Sequence, residues 1–149
     1  MPKLSRLSRI EPEFVDLMPR ELRPGILYVS MKYATTQHLC ACGCGKKVVL
    51  PLSPADWNLR YDGENISMSP SVGNWEYSCR SHYWIEGNQV HWARAWTRQE
   101  VEAGRLRDIR DIDSYFQERQ SQVEPPASAK TRRAPLARLS RRIRGLFRA

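Results

Sequence analysis

Cys40, Cys42 and Cys44 alternate within HLCACGCGKK, and the only other cysteine, Cys79, follows 35 residues later in SCRSH. Four soft ligands are the number that a closed tetrahedral zinc site requires. Three of them inside five residues cannot lie on a straight strand, where side chains two apart on one face stand about 6 to 7 Å from each other. The backbone must turn tightly round the ion, and Gly43 and Gly45 supply residues that tolerate positive φ. Such a cluster fixes two distant segments at one point and adds folding energy that a small core lacks. His82, three residues after Cys79, is the alternative fourth ligand, because Cys-x-x-His is itself a ligand spacing. Disulfide pairing would suit a secreted chain, but MPKLSRLSRIEPEF carries charge without the apolar run of a signal peptide. A cytoplasmic, reducing setting is therefore expected, where clustered cysteines more often bind metal. Ferredoxin spacings are absent, which argues against an iron–sulfur cluster.

The same residues open a second line of chemistry. If all four cysteines hold zinc, the ion has no free position for water and His82 is released. Ser81 adjoins it, and Ser69 and Ser71 lie on a neighbouring segment. A serine beside a histidine is the minimum for nucleophilic hydrolysis, so His82, Ser69, Ser71 and Ser81 are the catalytic candidates. Against this, there is neither a GxSxG elbow nor an HExxH helix, and His82 could equally donate to a zinc-bound sulfur or a backbone carbonyl. A site of three protein ligands would instead leave zinc-bound water as the nucleophile. His91 reads as a half-buried sheet residue, and His38 as either a support for the metal ligands or an exposed side chain.

These side chains need a scaffold, and the pattern around them is mostly β. ILYVSMKY after Gly25 predicts a strand, KKVVLPL a second one ended by prolines, and WNLRY with NISMSP a hairpin about Asp62-Gly63. Tyr83, Ile85, Val90 and Trp92 alternate on either side of Glu86-Gly87-Asn88, the clearest hairpin of the chain. All five tryptophans fall between Trp57 and Trp96 and are expected mostly in the core; an aromatic platform for bases is the rival reading. Thr97 with Glu100 forms a capping pattern, and Leu106, Ile109, Ile112 and Phe116 recur at helical spacing, with Gly104 weakening the start. The expected order is an N-terminal extension over 1–19, a zinc-binding β domain over 20–97, a helix over 98–120, a linker over 121–135 and a basic amphipathic tail over 136–149. The fold class is α+β, with a compact antiparallel β domain; a zinc-ribbon or treble-clef-like domain is the runner-up.

The net charge of +8 is concentrated in that tail. From Pro125 onward there are eight basic residues and no acid, which leaves residues 1–124 with sixteen of each sign and no net charge. The body therefore has no electrostatic footprint for nucleic acid, whereas Leu136, Leu139, Ile143, Leu146 and Phe147 opposite the arginines suit an anionic surface, lipid or nucleic acid. A solvated extension and a partner-docking helix are the other readings of the tail. No stretch approaches the ~20 apolar residues of a transmembrane helix.

The combination CACGCG, SPS, CRSHYWI and VHWA, spread from about Pro24 to Ala93, resembles a small bacterial zinc-binding family encoded beside ubiquitin-like conjugation genes. Its patterned residues correspond to Cys40, Cys42, Cys44, Ser69, Ser71, Cys79, Ser81 and His82. The resemblance implies a ubiquitin-like protein and its activating and conjugating enzymes as partners, in a setting of antiphage defence. It implies no reaction. Two functions are thus carried forward: a zinc-stabilised scaffold of the conjugation system, which the missing catalytic motifs favour, and a small hydrolase that trims or removes the ubiquitin-like modifier.

Removing residues 125–149 is expected to leave the body folded while abolishing binding to anionic vesicles or nucleic acid, as measured by co-sedimentation at increasing salt. Binding retained by the truncated protein would move the contact to the tryptophan-rich segment.

Overall fold

The computed structural model of the chain describes residues 5–123. The elements are β1 (Glu11–Phe14), β2 (Ile26–Ser30), β3 (Thr35–Leu39), β4 (Lys47–Pro51), β5 (Asn58–Tyr61), β6 (Ile66–Gly73), β7 (His82–Glu86), β8 (Gln89–Trp92) and α1 (Arg98–Val123). They form two four-stranded sheets, each in chain order, β1-β2-β3-β4 and β5-β6-β7-β8. Pairing is antiparallel except between β1 and β2, which run parallel. The fold is α+β, as expected from the sequence. No helix among the described residues is long and apolar enough to cross a membrane.

One core serves both sheets. Leu27, Val29, Val48 and Leu50 from the first meet Ile66, Met68, Val72, Tyr83, Ile85 and Val90 from the second, with Cys40, Ala41 and Cys42 in the same cluster. Alternation places these side chains inward, because successive residues of a strand face opposite sides. The Glu86–Gln89 hairpin closes on Gly87 and Asn88, whose φ values of 53° and 65° are those of a type I′ turn. Asn88 then ties several segments: its amide donates to Glu11 Oε2 at 2.9 Å and its Oδ1 accepts from the Ile66 N–H at 2.7 Å.

Two segments depart from the sequence reading. Residues 1–19 contain β1, and just before it Ser8 accepts from the Val90 N–H while the Ile10 N–H donates to Asn88, so this stretch crosses from the edge of one sheet to the other. Ile10 is fully buried. A single anchoring residue leaves no periodic pattern, which is why the stretch reads as an extension. TTQHL was not anticipated as a strand, yet it is β3, with Thr36 and His38 as its inward residues. Both are buried polar groups: Thr36 donates to the Leu50 carbonyl of the adjacent strand, and His38 Nε2 lies 2.8 Å from the Tyr83 hydroxyl across the core while its Nδ1 has no partner among the described residues. His38 is therefore not exposed. Burial drives its pKa down to about 4, which keeps the ring neutral.

The tryptophans also differ from expectation. None is in the fully buried set; Trp57 and Trp92 pack against the core from its margin, and Trp84 is exposed. Trp75 and Trp96 stack on each other, with ring centroids 5.4 Å apart and planes at 16°. That stack explains two glycines. A Cβ at Gly73 would fall 2.3 Å from the Trp75 ring, and one at Gly104 would fall 2.9 Å from Trp96. Gly104, which reads as weakening the start of the helix, is instead the point where α1, which runs from Arg98, lies against the body. The Thr97 cap is formed as expected, with Glu100 accepting from the Thr97 N–H at 2.8 Å and Thr97 Oγ1 accepting from the Glu100 N–H. Val101 and Gly104 are the buried residues of α1, and Leu106, Ile109 and Phe116 are exposed. The helix runs to Val123; the rest of the 121–135 linker, and the 136–149 tail with its possible anionic partner, lie outside the described residues.

Gly104→Ala adds a better helix former yet is expected to lower stability by about 1 to 3 kcal/mol, because the methyl meets a ring with no room to move. A urea midpoint that rises instead would contradict this packing.

Candidate functional site

The site is built on the return from β6 to β7. Gly73 pairs with His82, and one step further the Asn74 N–H donates to the Ser81 carbonyl, closing a loop over 75–80. One end of this loop carries Trp75, the other Cys79. Arg80 takes a φ of 44°, so the chain turns sharply past Cys79 much as it does at Gly43 and Gly45, whose φ values are 79° and 75°. Across from it, the Gly43 N–H donates to the Cys40 carbonyl and the Cys40 N–H to the Lys46 carbonyl, which folds the cysteine segment after β3 into the anticipated knuckle.

The two turns bring Cys40, Cys42, Cys44 and Cys79 together, with every sulfur within 4.8 Å of the others. Individual separations are 3.4 Å for Cys40–Cys42, 3.7 Å for Cys44–Cys79 and 4.0 Å for Cys40–Cys79. A tetrahedron with metal–sulfur bonds of about 2.3 Å has edges of about 3.8 Å, so the thiols are placed as ligands of one ion would be. All four are free of disulfides. Burial pushes the Cys40 and Cys42 thiols up. Burial also raises Cys79, but donation from Ser81 and the neighbouring thiols outweighs it and brings that thiol to about 7. Ser81 lies 3.0 Å from Cys40 Sγ, and its hydroxyl accepts from the Asn74 amide at 2.9 Å, so this serine supports the sulfur cluster.

His82, the alternative ligand by spacing, has both ring nitrogens engaged elsewhere. Nδ1 is 2.9 Å from the Arg94 carbonyl, and Nε2 is 2.9 Å from the Ser71 hydroxyl. A carbonyl can only accept, so in the neutral ring Nδ1 carries the hydrogen and Nε2 accepts from Ser71 Oγ–H. That is the tautomer a general base beside a nucleophile needs. The ring is buried at 6 % exposure and is walled by Trp75 and Trp96, each with its centroid 5.0 Å from the imidazole.

Ser71 reaches His82 through an irregularity in β6. Between the pairs Met68–Ile85 and Val72–Tyr83, β6 advances four residues while β7 advances two. The ladder is interrupted over Ser69, Pro70 and Ser71, and Pro70, which has no N–H to offer, sits inside the interruption. Of the three candidate serines, Ser71 is the one bonded to His82; Ser81 faces the thiols, and Ser69 is exposed opposite Asn58. The carbonyl that orients His82 is held in turn by α1. The Ala93 N–H donates to the His82 carbonyl, and the Arg94 guanidinium pairs with Glu100, the residue that also caps the helix. Glu100 is lowered to about 2, first by the Arg94 hydrogen bond and then by the Thr97 N–H. Sequence reasoning missed Arg94 and Trp96; a backbone carbonyl acting through its oxygen leaves no signature in residue type.

A serine hydroxyl, a histidine in the accepting tautomer and an acceptor behind it make a nucleophile–base pair, set next to a four-thiol cluster in a two-sheet α+β fold. The sequence matches, over residues 14–93, the family described as bacterial ubiquitination-like system serine protease (BubE). That match covers more than half of the chain, which therefore belongs to this family and to a bacterial ubiquitination-like system. Comparison with curated proteins and with solved structures gave no match.

Proposed function

We propose that this protein is a serine hydrolase that cleaves an acyl bond of a ubiquitin-like modifier, with Ser71 as nucleophile and His82 as general acid–base. The observation that carries the reading is the 2.9 Å contact from Ser71 Oγ to His82 Nε2, with Nδ1 tied to the Arg94 carbonyl. The family description as a serine protease supports it, and it favours the hydrolase alternative over the scaffold. The ubiquitin-like protein of the same system, free or attached to its conjugation partners, is the substrate partner this reading implies.

The chemistry follows from the geometry. Ser71 Oγ attacks the carbonyl carbon of the scissile bond while its proton passes to His82 Nε2. The tetrahedral adduct collapses as the leaving group takes that proton, which leaves an acyl ester on Ser71. Water, deprotonated by His82, then attacks the ester; the carboxylate is released and the proton returns to Ser71. The imidazolium formed on the way keeps its Nδ1–H bond to Arg94. A carbonyl there stabilises the cation less than a carboxylate would.

The four thiols fit zinc, and Cys40, Cys42, Cys44 and Cys79 would hold it as a closed site that supplies folding energy. With four protein ligands the metal has no position for a reacting water, so the zinc–water route is set aside in favour of Ser71. The β domain of 20–97, extended by the paired stretch from Ser8, is the unit the metal stabilises. The purified protein is expected to contain about one zinc per chain; Cys40→Ser or Cys79→Ser should cost several kcal/mol, and His82→Ala should leave the metal content unchanged. Elemental analysis and urea unfolding check all three.

Ser71→Ala and His82→Ala should each lower cleavage of a C-terminally extended ubiquitin-like protein by about 10³-fold or more, with zinc content and circular dichroism unchanged. Ser69→Ala should retain cleavage and Ser71 labelling by a fluorophosphonate. Labelling at another residue, or cleavage that survives Ser71→Ala, would sink the dyad.

A further inference from the structure

His82, Trp84 and Glu86 alternate on one face of β7, so the row that starts at the dyad continues over the solvent side of the second sheet. The neighbouring strand β6 places Ser67 and Ser69 on that side, and β5 places Asn58 and Arg60 opposite them, in the pairs Asn58–Ser69 and Arg60–Ser67. Trp84, Glu86, Ser67, Ser69, Asn58 and Arg60 surround an open trough of about 420 Å³. Its floor is two serines, its walls are Asn58 and Arg60 on one side and Trp84 and Glu86 on the other, and Ser71 follows two residues after Ser69 along β6. Trp84 is 38 % exposed, and on its side away from the trough it stacks on His91 of the edge strand β8 at 5.3 Å and 13°. Another hollow, next to Arg94 and Trp96, is lined by the Arg94–Glu100 pair and by Arg107 and Arg110 of α1, and offers no sheet face to an extended chain.

We propose that this serine-floored trough binds an extended segment of the substrate polypeptide on one side of the bond that Ser71 attacks, with an apolar side chain of that segment packed on Trp84. The inference rests on the dyad reading and adds the substrate's shape. An extended chain rises about 3.3 Å per residue, so a segment following β6 away from Ser71 presents every second residue to a rung of the sheet. Counted along β7, which runs regularly while β6 is interrupted over Ser69–Ser71, the residue next to the cleaved bond lies at His82, the third at Trp84 beside Ser69 and Asn58, and the fifth at Glu86 beside Ser67 and Arg60. Small floor residues let the backbone lie close. The wall indole offers the large apolar contact area that anchors bound peptides.

The test uses the full chain with p-nitrophenyl acetate, which needs the dyad alone, and with N-acetylated alanine-based peptidyl p-nitrophenyl esters bearing alanine or leucine at the third residue from the ester. Leucine is expected to raise kcat/KM about tenfold over alanine, a gain of the size one buried aliphatic side chain supplies. Trp84→Ala should abolish that gain while acetate hydrolysis stays within about twofold. Asn58→Trp, which narrows the trough from the opposite wall, should slow the peptidyl esters and spare the acetate. No leucine gain, a gain that survives Trp84→Ala, or an equal loss on the acetate overturns the trough while Ser71-dependent acetate hydrolysis keeps the dyad. Acetate and peptidyl ester hydrolysis that both survive Ser71→Ala overturn the dyad reading, and the trough with it.

Discussion

The meeting of the cysteine knuckle after β3 with the loop between β6 and β7 is the constraint from which the site follows. It is the point where the first sheet holds the irregular return of the second. Cys40, Cys42 and Cys44 stand on one side and Cys79 on the other, and burial that pushes Cys40 and Cys42 up disfavours their thiolates unless a cation compensates. A cation removes that penalty and converts proximity into a fixed crosslink. The loop so held spans only 75–80, and its ends are Asn74 and Ser81, which bond each other and reach Cys40. His82 is the next residue. Order at the sulfurs is therefore transmitted through one peptide unit to the base.

The nucleophile side depends on a different device. A regular β6 would pair every residue with β7 and give no freedom in where Ser71 stands. The two surplus residues break the ladder over Ser69–Ser71 and place a hydroxyl at 2.9 Å from Nε2. Behind the imidazole, a helix rather than a carboxylate completes the arrangement: the Glu100 cap grips Arg94, and the Arg94 carbonyl grips Nδ1. Gly73 and Gly104 leave room for the two indoles, which stack on each other and together pack against the imidazole.

What could be read from the chain and what could not divide along physical lines. The thiol cluster, the Thr97 cap and the Glu86–Gln89 hairpin are local features, with the deciding residues within a few positions of each other, and each was legible. The candidate set of His82 with Ser69, Ser71 and Ser81 was legible as types, but not the choice among them, because that choice rests on a register offset in β6 that alternation cannot encode. β3 escaped because its inward residues, Thr36 and His38, are polar and bonded only to Leu50 and Tyr83 from other strands. β1 escaped because one buried isoleucine anchors it. Gly104 was misread, since propensity counts its cost in a helix and not the indole that requires its bare Cα.

A domain this small has few ways to keep a nucleophile–base pair both rigid and reachable. Loops carry reactive groups to the surface but do not hold them to within about 0.5 Å, and sheets hold them but bury one face and hydrate the other. The proposed pair lies on the two inner strands of the second sheet, where their ladder is interrupted, and His82 is steadied from outside the sheet by the thiol cluster on the chain before it and by the helix cap on the carbonyl behind it. The dyad thus needs no third side chain of its own. Its orienting acceptor comes from the backbone, and the backbone is fixed because α1 begins within a few residues of the last strand.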